Sequence, residues 1–301
     1  MNFEVYKIPF LYIFLILISY LLKKKKLINK EDKSILSFIS SKITIPALII
    51  GSFSSFVWYD SYLIVVLIGL LVNILVLLIS LFIARKKSKK DKAMYSLLLP
   101  SYNTGSFAFP FIEGIFPAQT MINAMMFDVG NSLYSLGLNN TIAENIVDNS
   151  LGVNIKKIFK SLCSSIPLLS YTLMLVLYFL NVKLNNDIYE LANTIGKANI
   201  VIVMIFFGLI LELKTDKNAL KESFSILVTR YLINGLFALI VWSINIPLDL
   251  KRAVVLILFA PMSSLVVIFC NNLKCREEVY GFVNSVSIII SILIYSLLIN
   301  M

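Results

Sequence analysis

Histidine is absent from this 301-residue chain, and cysteine occurs only as Cys163, Cys270 and Cys275. The first absence removes imidazole acid–base catalysis, histidine metal sites and haem ligation by histidine. The second leaves too few thiols, too irregularly spaced, for a disulfide framework or a zinc site. Charge is scarce too. Only 15% of residues are charged and 58% are hydrophobic, whereas a soluble domain carries about 25% charged residues. With a mean hydropathy of +0.87, the composition excludes a soluble enzyme. There is no Gly-x-x-x-x-Gly-Lys-Ser/Thr segment, so ATP is not the direct energy source in this chain. An intramembrane enzyme would need a catalytic dyad, and neither a histidine nor an aspartate pair at helical spacing is available. No metal or cofactor is expected.

What the chain does have is long apolar runs, and a membrane helix needs roughly 20 mostly apolar residues. Ten candidates follow: 8–22, 35–57, 62–84, 94–116, 118–138, 158–180, 188–213, 223–244, 253–271 and 279–299. A polar stretch, 139–154, separates the fifth from the sixth. The first run is not a signal peptide, since Lys23, Lys24, Lys25 and Lys26 follow it and no small-residue cleavage site does. It reads as a retained span with its N-terminus outside.

The net charge of +10 would suggest a nucleic-acid partner in a soluble protein. Here the cations have another meaning. Twenty of the 27 Lys and Arg fall in the loops after spans 1, 3, 5, 7 and 9, counting Lys160 just inside the start of the sixth run. Four fall in the alternate loops and termini, and Lys42, Lys197 and Arg230 lie inside spans. Cations concentrate in cytoplasmic loops. The expected protein is therefore multi-pass in the cytoplasmic membrane, with both termini outside and no nucleic-acid partner.

Five spans followed by five spans make an odd-numbered duplication, whose second copy enters the membrane inverted. The division falls between residues 1–144 and 145–301. Span 4 contains Pro100, Gly105, Pro110 and Gly114, and span 9 contains Pro261, so the fourth span of each half is interrupted. Asn73 of span 3 matches Asn234 of span 8. Asp128 and Asn131 of span 5 have the same spacing as Asn284 and Ser287 of span 10. Paired broken helices point to the binding site of a secondary transporter. The helix N-termini created at membrane depth suit an anion.

The run Leu99-Pro100-Ser101-Tyr102-Asn103-Thr104-Gly105-Ser106-Phe107-Ala108-Phe109-Pro110 resembles the Asn-Thr-Gly-x-x-Gly-x-Pro segment of the auxin efflux carrier family. Phe259-Ala260-Pro261-Met262-Ser263-Ser264, Ile45-Pro46-Ala47-Leu48 and Phe206-Phe207-Gly208-Leu209 extend the similarity over nearly the whole chain. The resemblance implies an all-α polytopic fold of ten transmembrane helices, a 5+5 inverted repeat like the bile-acid symporters and sodium/proton antiporters. Spans 4 and 9 would cross near their prolines. Spans 1, 2, 6 and 7 would form a scaffold, and spans 3–5 and 8–10 a unit that moves like an elevator. The cargo would be a small organic anion, and a second copy of the chain is a further expected partner. Asn103, Pro110 and Pro261 would contact the substrate, with Thr104, Gly105 and Ser263 beside them. Ala108 stands where the motif has its second glycine, and the long central loop of the plant members is missing.

A mid-membrane charge costs at least about 2.5–3.5 kcal/mol, so retained ones are functional candidates. Glu113 is either a proton- or cation-coupling carboxylate or a residue near the outer surface. Asp128, with Asn131 a turn away, is either the titrating group of proton or sodium coupling or a structural hydrogen-bonding residue. Lys42 and Lys197 could draw an anion inward, pair with a carboxylate such as Asp128, or snorkel to the interface. Arg230 is expected to snorkel. Lys274, Arg276, Glu277 and Glu278 read as a solvated turn. The leading expectation is a carrier of small organic anions. The alternative is a membrane sensor or structural protein that keeps the carrier fold without transport.

Overall fold

A computed structural model describes residues 3–148, 155–212, 215–299 and 301. Among them every regular element is helical. Five described helices are long and apolar enough to cross a membrane: Lys33–Ser55, Ser61–Lys86, Asn186–Ile210, Lys217–Ser243 and Glu277–Leu298. A sixth candidate is a bent pair, Ile155–Cys163 and Ile166–Phe179, whose axes differ by 75°. An uninterrupted span over 158–180 was expected, and Ser164, Ser165 and Pro167 explain the difference. Ser165 caps the second helix by accepting from the Leu168 amide at 3.4 Å, and proline fits its first turn. The first helix is amphipathic, with Lys156, Lys157 and Lys160 interleaved with Ile155, Ile158 and Phe159. The stretch expected to be a polar loop after span 5 is helix over Asn139–Val147. Positions 149–154 lie outside the described residues.

The run 94–116 is interrupted, as its prolines predict. Helix Lys89–Leu98 stops before Pro100, and the chain re-enters helix through a π-helical turn, Thr104–Ala108, into Phe109–Ile115. The run 253–271 falls into two helices, Leu248–Leu258 and Ser264–Asn272, around Pro261. Ser263 caps the second piece by accepting from the Leu265 amide at 3.4 Å.

Packing sorts the helices into two groups. Ser61–Ile83 lies against Ala118–Ser132, which also packs on Leu248–Leu258, and Lys217–Ser243 lies against Glu277–Leu298. Phe3–Lys24 packs instead on Asn199–Ile210, and Asn186–Lys197 on Ile45–Ser52. Two glycines permit the closest approach. A Cβ on Gly69 would overlap the Phe127 carbonyl, and one on Gly130 the Val66 carbonyl. Small residues at such crossings let helix backbones touch where lipid supplies no hydrophobic drive.

Candidate functional site

The two interrupted helices meet at their breaks. The Asn103 amide donates to the Pro261 carbonyl at 2.9 Å, and Asn103 Nδ2 donates to Ser264 Oγ at 3.4 Å. Each break leaves one helix end with unpaired carbonyls and another with unpaired amides. Arg230 serves the carbonyl ends. Its guanidinium donates to the carbonyls of Leu98, Leu99, Ser101 and Ala260 at 2.5 to 3.1 Å. It also lies 5.1 Å from the Tyr102 ring centroid. Arg230 is fully buried, which corrects the expectation that it snorkels. A cation is favoured at helix C-termini, and here carbonyls of both interrupted spans surround it.

The amide ends open onto a cavity of about 440 Å³. It brings together Lys42, Asn103, Thr104, Gly105, Asp128, Asn131 and Ser263 from the expected set. Pro110 and Pro261 are not on its wall. Glu113 and Lys197 are also away from it, within electrostatic reach of each other beside Tyr12. Asp128 is buried and fully engaged. One carboxylate oxygen accepts from Thr104 Oγ1 and from Asn131 Nδ2 (3.0 Å), the other from Tyr171 OH at 3.3 Å. Asn131 Oδ1 accepts in turn from Asn73 Nδ2 at 3.2 Å. Lys42 shares the cavity with Asp128 without pairing to it, and Nζ donates to the Ser164 carbonyl at 3.3 Å.

Three π-helical segments contribute to this wall: Ser40–Thr44, Thr104–Ala108 and Leu133–Leu138. Two have a proline soon after them, Pro46 and Pro110. A proline lacks the N–H that would bond four residues back, and its ring crowds that carbonyl. The preceding turn widens, and the carbonyls concerned belong to Lys42 and Ser106. Such bulges cluster at functional sites. Proline spacing is the one sequence signal that could have located them. Nothing comparable marks Arg230, Tyr102 or Tyr171.

A second cavity of about 550 Å³ shares Ser37, Ser41, Phe206 and Ser264 with the first and reaches Lys33, Glu212 and Glu277. These lie toward the lysine-rich loops. Beyond the break, away from Lys89, the chain is closed by aromatic packing of Tyr12, Phe107, Phe111 and Tyr295, with ring centroids 4.6 to 5.2 Å apart.

The family model described as membrane transport protein matches residues 7–146, the segment that carries Lys42, Asn103, Thr104 and Asp128. The match covers just under half of the chain, and over that segment the chain is similar to membrane transport proteins. Members of that family are transporters rather than enzymes. No curated protein matches the chain. The matched segment supplies one interrupted helix and the Asp128 carboxylate, and Arg230 and Ser263 come from the other half of the chain. The charged turn at 274–278 is not merely solvated. Arg276 pairs with Asp91 at 3.0 Å and Glu222 at 3.5 Å, and Lys87 reaches Glu222 at 2.7 Å.

Proposed function

We propose that this protein is a secondary carrier moving a small organic anion across the cytoplasmic membrane by an elevator-type alternation. The observation that carries the reading is the cavity beside the joined breaks. It has two helix N-termini and one exposed lysine, and its carboxylate is already engaged. A half-helix N-terminus presents amides and partial positive charge to an anion. With the carbonyl ends occupied by Arg230, the amide ends are left to the ligand.

The architecture in this reading is ten spans, 1–144 and 145–301 being inverted repeats, with spans 4 and 9 crossing at Asn103 and Pro261. The two packing groups support a scaffold of spans 1, 2, 6 and 7 and a moving unit of spans 3–5 and 8–10. The lysine-rich loops face the cytoplasm and both termini face outward. The cavities then open inward, and the aromatic cluster is the closed outer gate. Asp128 is the proton-coupling group, because its partners come from both units: Thr104 and Asn131 from the moving one, Tyr171 from the scaffold. Displacement would remove the Tyr171 bond and change the cost of holding charge.

Reconstitution into liposomes tests this reading. The expected result is saturable uptake of an organic anion. Ligand-induced thermal stabilisation without any flux would favour a non-transporting sensor that keeps the carrier fold.

A further inference from the structure

The cavity wall is rich in serine, and its hydroxyls divide into two classes. Ser40, Ser135, Ser164, Ser263 and Ser264 each have a hydrogen-bond partner within the protein. Ser37, Ser41, Ser106, Ser132 and Ser161 line the same cavity and form no side-chain hydrogen bond to any described residue. All five are at least partly exposed. This is unusual for helical serines, which commonly bond back to the carbonyl four residues earlier. Elsewhere in this chain Ser52, Ser170 and Ser285 do so. The unspent hydroxyls come from separate segments of the chain, Ser37 and Ser41 from one, Ser106 and Ser132 from two others and Ser161 from a fourth. Polar groups placed in a pocket without internal partners are what fixes a ligand's orientation and specificity.

Charge narrows the class further. Among the described residues, Lys42 and Asp128 are the only lysine, arginine or carboxylate side chains on the wall of this cavity. Asp128 is engaged by three donors, and Lys42 makes one 3.3 Å bond to a neutral carbonyl. An ammonium has three donors, so Lys42 has capacity for one carboxylate. A second carboxylate on the ligand would meet no second lysine or arginine among the described residues of this wall. A ligand ammonium would find no unspent carboxylate.

We propose that the cavity selects a polyhydroxylated monocarboxylate, an open-chain sugar acid, whose single charge is met by Lys42 and whose hydroxyls are met by the unspent serines. The inference rests on the carrier reading for its direction and deepens it by naming the substrate class.

The test uses the full-length protein and four probes of similar length: gluconate, hexanoate, glucarate and sorbitol. They carry respectively one charge with hydroxyls, one charge without them, two charges with hydroxyls, and hydroxyls alone. Affinity is read by ligand-dependent thermal shift, and flux by counterflow in proteoliposomes. Gluconate is expected to bind at least about tenfold more tightly than hexanoate, the equivalent of two ordinary hydrogen bonds. It should also bind more tightly than glucarate and sorbitol. The double substitution Ser41→Ala with Ser106→Ala should reduce gluconate affinity several-fold more than hexanoate affinity, and Lys42→Gln should weaken both acids. Hexanoate binding as tightly as gluconate overturns the hydroxyl assignment, and glucarate binding as tightly overturns the single-charge assignment. Counterflow of some other organic anion with no response to gluconate overturns this proposal and leaves the carrier reading intact. Gluconate binding without counterflow of any anion overturns the carrier reading and leaves the ligand class standing.

Discussion

Arg230 and Asp128 are two buried charges that never meet, each neutralised by a different kind of dipole. Arg230 is held by four carbonyls at the ends of helices, and Asp128 by two hydroxyls and an amide. Arg230→Met would leave those carbonyls unpartnered in an apolar interior, and breaking such a charge network costs about 3–5 kcal/mol. The expected outcome is a markedly lower melting temperature in detergent. Arg230→Lys should recover only part of it, because an ammonium lacks the planar fork that reaches four acceptors. Asp128→Asn is expected to retain the fold and lose the pH dependence of uptake in proteoliposomes. Full, pH-dependent transport by that variant would remove Asp128 from the coupling role. Hydropathy identified Arg230 as an intramembrane charge but assigned it to the interface. One helix read by itself does not reveal which backbone ends will face it.

At the scale of elements, the interruptions were legible because proline acts locally. Pro100 and Pro261 stop helices whatever surrounds them, and breaks are found at Leu99–Asn103 and at Phe259–Ser263. What the sequence could not supply was long-range. The 75° bend between Ile155–Cys163 and Ile166–Phe179 falls in a run that hydropathy reads as continuous. The extension of helix to Val147 falls in a run that it reads as loop. In both cases packing against neighbours decides: Asn139–Val147 lies on Lys89–Leu98, and Ile166–Phe179 on Ile45–Ser52. The Gly69/Gly130 crossing is similarly invisible in one sequence, because a glycine inside an apolar run has no distinguishing mark. A branched residue at that crossing forces the backbones apart. Gly130→Val is expected to destabilise by about 3 kcal/mol or more, at the upper end of overpacking costs. Thermal unfolding in detergent checks it against Gly235→Ala, where a Cβ meets nothing within 4 Å.

For the whole molecule, orientation and access determine how the site could work. The lysine-rich loops, the acidic and basic residues at the mouth of the second cavity, and the Arg276–Asp91–Glu222–Lys87 cluster lie at one end. Exposed ion pairs of that kind contribute little stability, so the cluster matters more as a tie between loops. Cys275 sits in the same turn, and a hydrogen bond from the Cys270 thiol lowers its pKa. A lower thiol pKa means more thiolate and faster alkylation at neutral pH. A membrane-impermeant maleimide should therefore modify Cys275 in inside-out vesicles and spare it in intact cells, as mass spectrometry of the labelled protein would report. Labelling of Cys275 in intact cells would invert the topology and turn the open cavities outward.

The central claim is that the cavity beside the joined breaks is where an organic anion crosses. Counterflow of a panel of mono- and dicarboxylates in proteoliposomes tests it most directly, with the wild type beside Gly105→Trp. A Cβ at position 105 already lies 3.2 Å from Ile45 Cδ1, so an indole there must fill the cavity. The account predicts trans-stimulated exchange of at least one anion by the wild type and its loss in the variant. Exchange that survives the filled cavity, or a wild type that exchanges no anion, would contradict it.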